Sequence, residues 1–130
     1  MLNQSLILIR GIPGSGKSTL AKQIQQAEKK FLIVEADQYF IDSNENYVYN
    51  KSKIKEAHKW CQQLAIEWMQ SGYSVIVANT FIRKWEMQPY IKIANELKIP
   101  ITIIITQGEF QNIHNVPQST IERMKAQFEF

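Results

Sequence analysis

The nine residues Gly11-Ile12-Pro13-Gly14-Ser15-Gly16-Lys17-Ser18-Thr19 restrict this chain more than any other stretch. Gly11 and Gly16, four residues between them, are followed at once by Lys and Ser, and an unbroken aliphatic run, Leu6-Ile7-Leu8-Ile9, leads in. On the far side, Leu20, Ala21, Ile24 and Ala27 recur at helical spacing within Lys17 to Lys29. A strand, a glycine loop and a helix in that order form a phosphate-binding P-loop. Glycine permits the tight curl that turns backbone N–H groups inward, and the positive end of the next helix adds to the attraction for phosphate oxygens. Gly11, Pro13, Gly14, Ser15, Gly16, Lys17, Ser18 and Thr19 are therefore the expected nucleotide-binding loop. Lys17 would reach the β and γ phosphates of ATP, and the Ser18 hydroxyl would hold Mg²⁺. A dinucleotide fingerprint with Asp37 on a ribose fits less well, because its third glycine would fall on Thr19 and Lys17 would have no role.

The rest of the chain alternates in the same way. Phe31-Leu32-Ile33-Val34, Val75-Ile76-Val77-Ala78 and Ile101 to Ile105 read as three further strands, aliphatic as strands covered on both faces are. Between them, Lys53 to Ser71 carries Ile54, Ala57, Cys61, Leu64, Ala65 and Trp68 at three- and four-residue spacing, closed by Gly72 as a cap. Trp85 to Leu97 is a shorter helix with Pro89 in its first turn, and a last helix opens at Pro117 and carries Ile121, Met124 and Phe128. Residues 41–50 are turn formers without a period and read as a loop. The pattern predicts an α/β, three-layer P-loop NTPase fold with a mostly parallel sheet of about four strands and helices on both faces. It spans a single domain, residues 1–130, with the polar connection 107–116 as a short lid.

Length and charge exclude several alternatives. A chain of 130 residues leaves no room for two full domains, and 45% hydrophobic with 21% charged residues is a folding composition. A net charge of +3 favours polyanionic ligands but falls short of a dedicated DNA-binding domain. The single Cys61 excludes an intrachain disulfide framework and fits a reducing compartment. No basic region precedes Leu6 to Ile9, and the apolar run Ile99 to Ile105 falls short of the roughly 20 residues of a membrane span. A soluble, cytoplasmic protein without a membrane partner is expected; oligomeric state is not legible. His58 and His114 have no Cys or acid at ligand spacing, so no zinc site is expected.

Ligands of open parallel sheets gather at the carboxyl ends of the strands. Asp37 ends the second strand, where an ionised carboxylate can deprotonate an attacking hydroxyl or hold water in the Mg²⁺ shell. Capping of the next turn is the plainer role for an Asp there, and Glu35 is the second choice for the chemistry. The Tyr39-Phe40 pair offers aromatic faces for a base, or else joins the core. Trp60, Trp68 and Tyr90 are expected to pack between helices. Lys51, Lys53, Lys55 and Lys59 form a cluster that suits either a polyanion or plain solvation.

Several blocks together resemble a known group. Arg10 to Ala21, Ala36-Asp37-Gln38-Tyr39-Phe40, Glu56-Ala57-His58-Lys59-Trp60, Asn79-Thr80-Phe81, Trp85 to Tyr90 and His114-Asn115-Val116-Pro117 resemble the small polynucleotide-kinase-like P-loop proteins of phages and bacteria. That group is related to phage-type polynucleotide 5′-kinases and to zeta-toxin-like kinases. The resemblance implies a kinase-like fold, ATP and Mg²⁺ as cofactors, and a nucleic-acid or small-metabolite acceptor. It implies Asp37 as general base, Thr80 on the acceptor-phosphate side, and Val116 against adenine with Thr120 one turn on.

The chain also departs from that pattern. Residues 107–115 contain no Arg or Lys where those kinases place lid arginines, Phe40 stands where they have an arginine, and Asn79 replaces an acid before Thr80. An arginine on the transferring phosphoryl group is worth roughly 10³ to 10⁵ in rate. Arg83, Lys84, Arg10 and Arg123 are the substitutes to examine, Arg83 first because it follows the third strand. Two functions of different kinds fit this sequence: a kinase moving the ATP γ-phosphoryl to a hydroxyl, possible acceptors including a polynucleotide 5′-OH, and a nucleotide-binding or slow ATPase module that presents a surface to a partner.

Overall fold

Four aliphatic runs become four strands because each must cover both of its faces. In a computed structural model describing residues 3–108 and 116–130, β1 (Leu6–Arg10), β2 (Phe31–Val34), β3 (Ser74–Asn79) and β4 (Ile101–Ile105) form one sheet in the order β2-β3-β1-β4. All three pairings are parallel, with Leu8 opposite both Val77 and Ile103, and Val34 opposite Val77 on its other side. Side chains alternate along each strand, so Leu6, Leu8, Val75 and Val77 face one way while Ile9, Ile76 and Ala78 face the other. The first set packs on Ala57, Cys61, Ala65 and Met69 of α2 (Ile54–Gln70) and on Tyr90 and Ala94 of α3 (Gln88–Glu96). The second set packs on Leu20, Ala21 and Ile24 of α1 (Lys17–Ala27). Helices thus cover both faces, as expected, and each fully buried aliphatic side chain stabilises the fold by about 1.5–3 kcal/mol.

The order of strands creates the site. The connection after β1 runs through α1 to β2 at one edge, whereas the connection after β3 runs through α3 to β4 at the other. Two crossovers leaving in opposite directions open a crevice at the carboxyl ends of β1 and β3. The last helix, α4 (Gln118–Gln127), brings Thr120 and Met124 to that crevice.

Local chemistry explains the element ends. Gly72, at φ 93°, closes α2 in a Schellman arrangement: its N–H donates to the Met69 carbonyl and that of Tyr73 to Trp68. The helix expected from Trp85 begins as a 3₁₀ turn, Lys84–Met87, and becomes α-helical only at Gln88. Trp85 is consequently 70% exposed. β4, at one edge of the sheet, is less buried than its composition suggests, with Ile103 46% exposed. Residues 41–50 are more ordered than a loop without period implies. Asp42 accepts the N–H groups of Asn44 and Asn46, and Ile41 bridges to Tyr47, so the turn brings the chain back beside Phe40. The expected lid falls largely on residues 109–115, which lie outside the described residues together with His114. Among the described residues, no helix is long and apolar enough to cross a membrane.

Candidate functional site

A cleft of about 580 Å³ lies at the carboxyl ends of β1, β2 and β3. The glycine loop forms its floor, and its geometry requires glycine: Gly14 holds φ 80° and Gly16 holds φ 102°, backbone that a side chain resists. Gly11 is needed for a different reason. A Cβ there would strike the Ser15 and Thr106 hydroxyls and come within 2.8 Å of the Thr106 carbonyl. Those groups stitch the loop to the end of β4, Ser15 Oγ to Thr106 Oγ1 at 2.7 Å and the Gly108 N–H to the Ser15 carbonyl at 3.1 Å. Gly11→Ala is therefore expected to cost about 1–3 kcal/mol of stability and to remove nucleotide binding, read by urea unfolding with and without Mg-ATP.

Lys17 lies within the loop it follows. Its Nζ donates to the Gly11 and Ile12 carbonyls at 2.9 and 3.0 Å. Burial lowers the Lys17 ammonium to about 8, against the opposing pull of the Asp37 and Glu35 charges. Ser18 Oγ, one residue on, donates to Glu35 Oε1 at 2.5 Å. Burial raises the Glu35 carboxyl and the Asp37 charge raises it further, while the Ser18 hydrogen bond and Lys17 pull it down. The hydroxyl and the carboxylate that follow β1 and β2 are thus joined. Among the described residues no group of three His, Cys, Asp or Glu side chains could hold a metal. One hydroxyl and one or two carboxylates fit Mg²⁺, which keeps waters and takes phosphate oxygens as its other ligands.

Asp37 stands beside this pair on the 3₁₀ turn Ala36–Phe40, exposed and lining the cleft. Burial, the Asp37 charge and a hydrogen bond to Asp37 push the Tyr47 phenol up to about 12. The backbone under Asp37 is held from β3: Asn79 Oδ1 accepts the Ala36 N–H at 2.8 Å, and Asn79 Nδ2 meets Cys61 Sγ at 3.5 Å. Asn79 is buried, and so is Cys61, whose thiol burial pushes up. Asn79→Ala strips the buried Ala36 N–H of its acceptor and is expected to cost about 1–3 kcal/mol, measured by chemical denaturation.

The sequence-predicted residues divide clearly. Thr80, Val116 and Thr120 line the cleft with Pro13, Gly14, Gly16, Lys17, Ser18, Thr19, Glu35 and Asp37. Tyr39 does not: its ring packs on Phe40 and Trp60, and its hydroxyl donates to Glu56 at 3.0 Å. Arg83 turns away to Glu129, 3.6 Å distant, and is not a lining residue. Arg10 is buried, its guanidinium donating twice to the Phe81 carbonyl and lying 4.3 Å from the centre of the Phe128 ring. Those bonds lock Phe81 at φ 44°, a conformation unfavourable for a bulky residue, and so fix the turn carrying Thr80. Lys84 and Arg123 are exposed and outside the lining. Phe40, Tyr47, Tyr49, His58 and Met124 line the cleft although sequence reasoning did not assign the last four to it. The turn formers around Asn44 were the available signal, since they bring Tyr47 and Tyr49 back to Phe40.

A glycine loop at the switch point of a four-stranded parallel sheet, with a hydroxyl and acids above it, defines a P-loop domain of the kinase-like kind. The chain belongs to the AAA domain family, which matches residues 6–109. It is 35% identical over 129 residues to NEDD4-binding protein 2 of Homo sapiens, a match covering 92% of this chain and 7% of that protein. The chain therefore spans a small part of this relative's length. Two solved structures are similar in fold. One belongs to the Pnkp1/Rnl/Hen1 RNA repair complex, with a TM-score of 0.71 at 18% identity, covering 98% of this chain and 45% of the other. The second is the Mycobacterium tuberculosis APS kinase CysC, with a TM-score of 0.64 at 12% identity, each chain covered in full.

Proposed function

We propose that this domain is a Mg²⁺-dependent phosphotransferase that moves the γ-phosphoryl group of ATP to a hydroxyl, with a polynucleotide 5′-OH as acceptor. One observation carries the reading. Two carboxylates stand at the open cleft above the loop, Glu35 bound to the Ser18 hydroxyl and Asp37 hydrogen-bonded to Tyr47. With Glu35 on the Ser18 side of the magnesium shell, Asp37 stands where it can take the proton of an acceptor hydroxyl.

In this reading the loop N–H groups and Lys17 hold the phosphates, while Val116, Thr120 and Met124 receive the adenosine end. Ser18 and Glu35 would hold the magnesium shell, the ion offsetting the phosphate charge when bound. Thr80 lies on the acceptor side. Asp37 takes the acceptor proton as that oxygen bonds to the γ phosphorus, and the bond to the β-phosphate oxygen breaks to leave ADP. The polynucleotide-kinase-like resemblance and the fold shared with a chain of an RNA repair complex support a nucleic-acid acceptor. The domain would act as one unit, closed by residues 107–116, in the reducing cytoplasm that the single Cys61 suits.

A second reading, a nucleotide-binding or slow ATPase module, has an observation of its own. Among the described residues no arginine lines the cleft, and residues 109–115 contain none in sequence. The deciding experiment follows γ-labelled ATP with Mg²⁺ against 5′-hydroxyl oligonucleotides, alongside Lys17→Ala and Asp37→Asn variants. Labelled oligonucleotide that disappears in both variants is expected. Bound ATP without transfer to any oligonucleotide would sink the nucleic-acid assignment.

A further inference from the structure

We infer that the aromatic end of the cleft and the lysines beside it form a track for single-stranded nucleic acid, the terminal base against Tyr47 and Tyr49 and the phosphates over Lys51, Lys53 and Lys55. This deepens the proposed function and rests on it for the position of the reacting end. In the wall of the cleft, the planes of Tyr47 and Tyr49 lie 16° apart with centroids 6.4 Å apart, and the Phe40 ring centre sits 5.2 Å from that of Tyr49. Tyr47 is hydrogen-bonded to Asp37, so this wall begins at the carboxylate that would take the acceptor proton. Tyr49 is 52% exposed, which leaves ring surface on which a flat ligand can stack. Aromatic faces bind any base with little sequence preference.

The charge continues from the wall. After Asn50, Lys51 and Lys53 follow Tyr49 on a 3₁₀ turn, and Lys55 lies in the first turn of α2 beside Ile54 and His58, which line the cleft. Residues 50–60 carry four lysines against one acid, Glu56, which already accepts from Tyr39. All four lysines are exposed, and none is in an ion pair among the described residues. A small acceptor confined to the cleft would not reach them. A strand leaving the cleft over the start of α2 would, its phosphates spaced along the row.

The test measures anisotropy of a short, 3′-labelled oligoribonucleotide with a 5′-hydroxyl, bound to the full chain with Mg²⁺ and a non-hydrolysable ATP analogue. Binding should weaken steeply with salt, log K falling by about 0.7 per phosphate contacted for each unit of log salt. The combined Lys51→Glu, Lys53→Glu and Lys55→Glu variant should lose at least about tenfold in affinity and flatten that slope by about 2. Tyr49→Ala should lose about five- to a hundred-fold with the slope unchanged, and Tyr49→Trp should restore binding. A fluorescent ATP analogue checks that each variant keeps its fold and its loop. Equal affinity and slope in all variants, or no oligonucleotide binding while the analogue binds, overturns the track. Binding with the expected pattern but no phosphoryl transfer upholds the track and removes the kinase reading instead.

Discussion

Asp37→Asn will lower phosphoryl transfer by about 10²- to 10⁴-fold and leave Mg-ATP affinity nearly unchanged. The amide keeps the size of the carboxylate and can still accept from Tyr47, but it cannot take a proton from the acceptor. Glu35→Gln should behave differently. Glu35 accepts from Ser18, so loss of its charge should first raise the Mg²⁺ concentration needed for half-maximal activity. Single-turnover transfer rates at saturating ATP, set beside titrations of a fluorescent ATP analogue at several Mg²⁺ concentrations, separate the two effects. If Glu35→Gln abolished transfer and Asp37→Asn retained most of it, the roles of the two acids would be exchanged.

The second large effect is on pH. Lys17 titrates near 8 in the free protein because burial disfavours its charge, and a bound polyphosphate would raise it again by supplying negative charge. Below pH 8 the ammonium is already present and ATP affinity should be flat. Above it, binding must take up a proton, so affinity should fall about tenfold per pH unit. Calorimetry at pH 9 in two buffers of different ionisation enthalpy should show close to one proton taken up per ATP. Lys17→Ala, where any binding survives, should show none. The same shift has an opposite sign for the free fold. Since the unfolded lysine keeps its proton up to its ordinary value of 10.5, the ATP-free protein should gain stability as pH rises from about 8 toward that value. Zero proton uptake at pH 9 would contradict the burial of Lys17.

Much of this was legible in the chain. The loop residues 11–19 act through backbone N–H groups and glycine φ angles, which are local properties, so spacing alone carries them. The four strands and the three-layer arrangement follow from aliphatic runs alternating with helical periods. Val116, Thr120 and Thr80 came from resemblance to a family, and each lines the cleft. For Tyr39 and Phe40 the sequence leaves open which ring meets a base and which joins the packing, because the two neighbours share their chemistry. On a 3₁₀ turn, adjacent side chains diverge, and Phe40 took the cleft while Tyr39 took the contact with Trp60. Arg10 and Arg83 could not be judged from sequence. Whether an arginine meets a phosphate or a carbonyl depends on partners distant in the chain, here Phe81 and Glu129.

The glycine loop curled between a buried strand and a helix, and the two acids after the next strand, can be read from the residues in order. Those are consequences of spacing and of side-chain type within a few residues. Contacts across the fold settle which acid meets Ser18 and that Asn79 holds the backbone under the other, while bonds within residues 40–48 return Tyr47 and Tyr49 to the cleft. The first two join residues from different strands and turns, and their geometry is set by the parallel register that brings the ends of β1, β2 and β3 together.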